Sequence, residues 1–464
     1  MVVNIRLALA CVLIVLVSGV AQPGEKEHGQ GPIQRPASPF LLPIVKRDSL
    51  LNGLQLIVLE QTGTGSVSTH LRINSGALFD LAGKGGLADL TAGMLLRGAG
   101  GFDAKGISDI VERSGFTVNV TIGWDTSDIG ISGPADSLDG IFDLLGRLVI
   151  TPTFDQKEFE TLKSVRLAAL KQELSDDSTA VRRRAIEAVF GANPYGRPVR
   201  GTAESIAQIA RQDLVYFHSR FYLANNAELV VSGDVLAEQV TRLGRAKLGA
   251  WKKGEKVAAT FRPPVPRSAR TVLIIDRPDA QFARAASVQI GFSRRGDDYF
   301  AGAIMVDVLS QICSSIAAAT PGASVEVEHE AGQIAGPLVV KLKSNPADLP
   351  GLLDSVHAAM GRAQSEPTSS ERVESAKSRL ITRIAERLKS NDGAADVILD
   401  IETYGLGRDY LINLGERVAA VTPVEVQRAA QNYLKPQAAA VVVAGPASKL
   451  DPALKSLGAV TVSK

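Results

Sequence analysis

The groups in this sequence that could bind a metal or act as a nucleophile are few and badly spaced for either task. The five histidines are His28, His70, His218, His329 and His357, and no two are placed to share one helical or strand face. His70 lies in strand-like text and reads as a partly buried structural residue, and His218 in YFHSRFY reads as a packing residue. His329, in the acidic VEVEHEAG, offers at most a weak metal contact, and His357 has no partner near it along the chain. Cys313 sits in the apolar LSQICSSIA and reads as a small buried hydrophobe rather than an activated thiolate. No serine lies in a G-x-S-x-G setting, and the glycine-rich RGAGGFDAKG (97–106) lacks the GK[ST] ending of a phosphate cradle, so it reads as a turn between helices. These residues by themselves assign no catalytic group.

The elements that would position such groups are better defined. LNGLQLIVLE (51–60) and SVSTHLRINSGA (66–77) read as two strands, expected to pair antiparallel. GGLADLTAGM (85–94) opens a helix over 86–96, with Leu87, Ala88, Leu90 and Met94 at helical spacing; Asp103 is a good N-cap for a second helix over 104–114. Strands at 116–123 and 125–133, helices over 136–149, 155–174, 179–190 and 211–221, and a strand at 227–234 complete this half. Strands and helices in this order predict an α+β fold rather than strictly alternating βαβ units.

The pattern then happens again. TPTFDQKEFETLKSVRLAAL (151–170) is echoed by EPTSSERVESAKSRLITRIA (366–385), and 213–235 is echoed by 425–447, with Tyr222 against Tyr433 and Gly233 against Gly445. TVLIIDRPDAQFARAASVQIGF (271–292) repeats the opening strands. The expected architecture is two homologous halves, 45–253 and 271–464, each a mostly antiparallel sheet packed with helices, joined by the proline-rich linker 254–270.

With 51 basic against 49 acidic residues in a 464-residue chain, and no basic run interleaved with aromatics, nothing predicts nucleic-acid binding. Arg6, the apolar run 7–20 and the small residues Gly19-Val20-Ala21 read as an export signal over 1–21, too short for a comfortable membrane span. Lipidation at Cys11 is disfavoured because that residue lies inside the apolar run. QPGEKEHGQGPIQRPASP (22–39) has no periodicity, and 22–44 is expected to be a disordered tether. No transmembrane span is expected in the mature protein, which is placed in the periplasm or envelope of a Gram-negative bacterium.

Taken together, LNGLQLIVLE, the 85–94 frame with LLRGA after it, ERSGFTVNVTIGWDTSDIGISG (112–133), NPYGRPVRGT (193–202) and YFHSRFYLANNAELVVSGDV (216–235) resemble the insulinase and pitrilysin type of inverted-zincin peptidases, in particular the processing-peptidase-like branch. In active members the frame reads G-L-A-H-x-x-E-H-M: two histidines one turn apart hold zinc, and the glutamate activates its water. By that resemblance the histidine positions here are Asp89 and Gly93 and the base position is Ala92, so this is a degenerate zinc motif, with no catalytic or metal-ligating residue assigned and no cofactor expected. A third family ligand falls near 169–173, where Glu173 reads as a surface residue. The arginine and tyrosine that the second half of catalytic members supplies are missing, since 300–340 contains no Arg, Lys or Tyr. The family's peptide-binding strand edge corresponds to Asn119, Val120, Thr121 and Ile122. The resemblance implies a non-catalytic partner subunit of a homologous zinc peptidase chain, in a heterodimer acting on extended peptides. A metalloendopeptidase with an atypical site at Asp89 and Glu173 and a stand-alone peptide-binding or assembly protein are the alternatives.

Overall fold

The computed structural model describes residues 44–258 and 261–463; the expected signal, Cys11 and all of the tether but Ile44 lie outside the described residues. The first half runs β1 (Val45–Ser49), β2 (Gln55–Glu60), β3 (Ser66–Ile73), α1 (Leu87–Leu95), a short β4 (Gly98–Ala99) and β5 (Phe102–Asp103), α2 (Ala104–Arg113), β6 (Thr117–Ile122) and β7 (Ser127–Pro134). It continues with α3 (Leu138–Ile150), α4 (Gln156–Glu173), α5 (Asp177–Phe190), α6 (Ala203–Ala207), α7 (Arg211–Phe221), β8 (Ala227–Gly233) and α8 (Ala237–Leu248). The second half holds β9 (Thr271–Asp276), β10 (Ala283–Ile290), α9 (Tyr299–Ala318), β11 (Ser324–His329), β12 (Pro337–Ser344), α10 (Leu349–Ser365), α11 (Ser370–Leu388) and α12 (Asn391–Thr403). α13 (Leu414–Ala419), α14 (Pro423–Tyr433), β13 (Ala440–Gly445), α15 (Ala447–Leu454) and β14 (Ala459–Ser463) end it.

The duplication is legible in the sheets. One has the order β1-β2-β8-β3-β7-β6 and the other β11-β12-β10-β13-β9-β14, so β2, β8, β3, β7 and β6 correspond to β9, β13, β10, β12 and β11. The expected pairing of the two opening strands is wrong in both halves. β2 and β3 do run antiparallel, but β8 lies between them, parallel to β2 and antiparallel to β3, as β13 lies between β9 and β10. The reason is burial: Leu229, Val230 and Val231 of β8 are all inaccessible, and a strand apolar on both faces belongs at the centre of a covered sheet, not at its rim. The fold is α+β, two related halves with mostly antiparallel sheets, as the sequence predicts.

Each half lends the other a helix. α5 lies across β10 and β13 of the second sheet, and α12 lies across β3 and β8 of the first. Both contacts combine apolar packing with ion pairs. α5 presents Val181, Ala185, Ile186 and Val189 to Ala286, Val288, Val442 and Ala444, and pairs Arg182 with Glu330 and Asp177 with Arg277. α12 shares an apolar cluster with Ile57, Leu59 and Val230 of the first sheet and also meets the basic side chains of β3. Arg72 reaches Asp128 (2.5 Å) in its own half and Asp400 (2.9 Å) across the seam, and His70 holds Asp392 through Nε2 (2.9 Å) and Asp396 through Nδ1 (3.2 Å). Removing Arg72 would leave the carboxylates on both sides of the seam without their shared cation, so the residue fixes where α12 sits more than it adds net stability.

α9 is the one described helix long and apolar enough, by length and composition, to cross a membrane. It packs among α10, α11, α14 and β11, with Cys313 fully buried and its thiol pushed up to about 12 by that burial.

The His70 contact gives a pH dependence whose sign is determined. Burial pulls the imidazole pKa down, but hydrogen bonds and charge from Asp396 and Asp392 outweigh it, and the net shift is upward. The facing groups are Asp392, Asp396 and Ser68, with Arg72 and Arg387 acting on Asp396; both carboxylates are held below their ordinary range and stay charged. A raised histidine stabilises the fold fully below its unfolded value, about 6.5, and that stabilisation is lost as pH rises through the folded value. Denaturant melts at pH 6 and pH 8.5 should therefore show a larger loss of stability on the alkaline side for the wild type than for His70→Gln; equal losses would refute the assignment.

Candidate functional site

α1 is a core helix: of its residues only Gly93 is not buried. It packs against α7, α4 and β6. Its N-terminus is capped from outside, because Asp80 accepts the Gly86 N–H at 2.7 Å and the Ala88 N–H at 2.8 Å while Gly86 has no side chain to do so. Gly86 has to be glycine: its φ is +92°, and a Cβ there would stand 2.8 Å from the Arg200 carbonyl oxygen.

The three family-motif positions lie on this helix, and α4 fills the space in front of them. Arg166 Nε stands 2.7 Å from Asp89 Oδ2, a contact of charge whose N–H is not aimed along a good hydrogen bond. One turn back on α4, Leu162 lies against Gly93, where a Cβ would be 3.1 Å from Leu162 Cδ2. Ala92 is buried at 1 % exposure. Residues four apart on α1 thus face residues four apart on α4, and the cation beside the carboxylate is a guanidinium. Burial raises the Asp89 pKa, opposed by Arg166 and Arg200 and helped by Glu173. Zinc does not fit these residues: one ligand position has no side chain, the base position is a methyl group, and the remaining carboxylate is spent on Arg166.

Glu173, expected on the surface, lies there in an exposed pair with Arg200 at 2.5 Å, at the far end of α4 from Leu162. His329 stacks on Phe292 and accepts the Phe292 N–H through Nε2 at 3.1 Å. His357, read along the chain as having no partner, meets Ser287 Oγ of β10 at 3.0 Å, a contact only the sheet could supply. Among the described residues no group of three or more His, Cys, Asp or Glu side chains could hold a metal ion.

Asn119, Val120, Thr121 and Ile122 all lie on β6, which is the rim of the first sheet and, among the described residues, pairs only with β7. Val118, Val120 and Ile122 pack on the core, while Thr117, Asn119 and Thr121 are exposed. The strand therefore keeps an unpaired backbone edge. The turn after it holds Trp124 and Asp125. Trp124 stacks on Tyr195 with ring centroids 4.7 Å apart and donates from Nε1 to the Arg197 carbonyl at 3.0 Å. Buried Asp125 accepts from Tyr195 OH (2.7 Å), and across the seam from Tyr404 OH (3.2 Å) and the Gln333 N–H (3.0 Å).

Beside this turn is a cavity of about 400 Å³ whose wall includes Trp124, Arg182, Arg183, Arg197, Arg200 and, from the second half, Glu330. Sequence reasoning missed these arginines because they come from α5 and from the 193–202 loop. The run VRRRA (181–185) was the available signal.

Comparison with known proteins was consistent with this geometry. Residues 56–203 match the profile described as Insulinase (Peptidase family M16), and residues 208–380 match that of the Peptidase M16 inactive domain. The non-peptidase homolog YmxG of Helicobacter pylori is 25% identical over 211 residues, 46% of this chain and 49% of that protein. The chain spans about half the length of the curated relatives it matches. The crystal structure of a peptidase M16 inactive domain from Pseudomonas fluorescens superimposes with a TM-score of 0.80 at 21% identity, covering 87% of this chain and 98% of that one. The periplasmic protease PqqL from Escherichia coli gives 0.72 at 14% identity, covering 90% of this chain and 49% of that one. At these identities the structures share the fold alone.

Asp89→Ala should destabilise the protein by on the order of 3 kcal/mol, the low end for breaking a buried pair, because Arg166 keeps 21% of its side chain exposed. Asp89→Ala with Arg166→Leu should recover most of that loss. Gly93→His should cost about 1–3 kcal/mol by crowding Leu162. Installing Asp89→His, Ala92→Glu and Gly93→His together should not give stoichiometric zinc while Arg166 and Leu162 remain, as read by metal analysis after dialysis.

Proposed function

Because this chain belongs to the M16 insulinase family, we propose that it is a non-catalytic member that serves as the partner subunit of a catalytic zinc peptidase chain. Its task is to complete a peptide-binding chamber, not to cut. The observation that carries this reading is the α1–α4 contact, where Arg166 and Leu162 fill the space before Asp89 and Gly93. The loss is not one of a single ligand; the neighbouring helix is repacked around it. What is kept supports a binding role: the unpaired edge of β6, along which an extended peptide can add main-chain hydrogen bonds, and two complete halves around it. The name of the Helicobacter pylori relative, a non-peptidase homolog, agrees. An export signal over 1–21 and the periplasmic location in the name of the Escherichia coli neighbour favour the periplasm as the site of action.

In this reading Asn119, Thr121 and the backbone of β6 hold the peptide, and no residue of this chain activates water. The expected result is that the purified chain carries no stoichiometric zinc and hydrolyses no peptide, yet co-purifies in a defined complex with a homologue from the same cell bearing an intact H-x-x-E-H. One zinc per isolated chain, with hydrolysis abolished by a chelator, would overturn it.

A further inference from the structure

The cavity beside Trp124 has an unbalanced charge. Of its four arginines, Arg200 is neutralised by Glu173 and Arg182 by Glu330, with Glu328 at 3.9 Å. Arg183 is half-buried and has no carboxylate within ion-pair distance and no hydrogen bond among the described residues. Arg197 makes one long contact, Nη1 to the Asp80 carbonyl oxygen at 3.4 Å, and its buried Nε has no partner; it feels the charge of the Asp80 carboxylate but makes no ion pair with it, since that carboxylate accepts the Gly86 and Ala88 N–H groups. Burying a guanidinium without a counter-ion is unfavourable, and folded proteins rarely leave two beside one cavity unless something else supplies the charge. Arg183 responds as expected, its pKa lowered chiefly by burial.

The cavity's place in the fold says what that something is. Gly123 and Trp124, in its wall, follow directly on Ile122, the last residue of the free edge strand. The cavity therefore adjoins the end of β6 that leads into the β6–β7 turn. The wall is not wholly polar, since Leu174 and Ile186 contribute apolar surface, and Trp124 offers a ring face beside the guanidinium groups.

We propose that this cavity binds a carboxylate of an extended peptide lying on β6, with Arg183 and Arg197 as its counter-ions. The inference rests on the peptide-edge part of the function proposed above and extends it to a substrate class: acidic peptides. The positive charge of the site comes from guanidinium groups fixed by the fold. A guanidinium pairs well with a carboxylate through parallel N–H donors, so the preference should be for acidic over amide side chains and should weaken with salt.

The test uses the full chain and a fluorescently labelled peptide of extended, proline-free sequence with one glutamate, its glutamine counterpart, and both with free and amidated C-termini, measured by polarisation at low and moderate salt. The expected outcome is that at least one carboxylate-bearing form binds roughly tenfold tighter than the fully amidated glutamine form, about the 1.4 kcal/mol that one such contact contributes. Loss of preference on amidation assigns the terminal carboxylate, and loss on Glu→Gln assigns the side chain; either supports the site. Arg183→Ala and Arg197→Ala should each abolish the preference, and Arg183→Lys should retain part of it. Arg184→Ala should leave it intact, since that neighbour is exposed, pairs with Glu187 and does not line the cavity. Equal affinity for all four peptides, or an Arg184→Ala loss equal to that of Arg183→Ala, overturns the proposal. Because the measurement needs no second protein, its failure is distinct from a failure to form a complex with a peptidase chain.

Discussion

The exchange of α5 and α12 is the constraint on which the rest of this structure depends. Each half supplies part of the cover for the other's sheet, while the first half also closes a large core of its own. Both exchanged helices join apolar packing to ion pairs. α5 adds Arg182 with Glu330 and Asp177 with Arg277 to its apolar face, and α12 is placed along β3 by Arg72, His70 and the carboxylates opposite them. Hydrophobic burial supplies most of the adhesion and the ion pairs supply register.

That exchange also builds the candidate site. Carrying α5 onto the second sheet brings Arg182 and Arg183 beside the 196–200 loop and within reach of Glu330, and Asp125 then locks the turn after β6 to Tyr404 and Gln333 of the other half. The arginine-lined cavity thus forms at the seam, beside the turn that follows the edge strand. A buried carboxylate demands a nearby cation, and at Asp89 the demand is met by Arg166. The helix is packed with its charge and volume matched by α4, through Arg166 beside Asp89 and Leu162 beside Gly93.

Much of the local structure was legible because it obeys local rules. The 3.6-residue spacing of Leu87, Leu90 and Met94, the cap at Asp103 and the full range of α7 follow from side-chain periodicity and backbone hydrogen bonding within a few residues. Asp89, Ala92 and Gly93 were singled out for a different reason, the resemblance of the frame around them. The pairing of β2 with β3 was misread because adjacency in sequence is only a prior on adjacency in space; the apolar β8, arriving more than 150 residues after β3, displaced it.

The sequence by itself therefore determined the elements, their duplication and the absence of a zinc-binding pattern, since each depends on residue type at fixed short spacing. Only the tertiary structure decided what stands in place of that pattern. The partner of Asp89, the neighbour of Gly93 and the unmatched charges of Arg183 and Arg197 come from residues tens of positions apart, and packing alone chooses which of the many distant side chains meet.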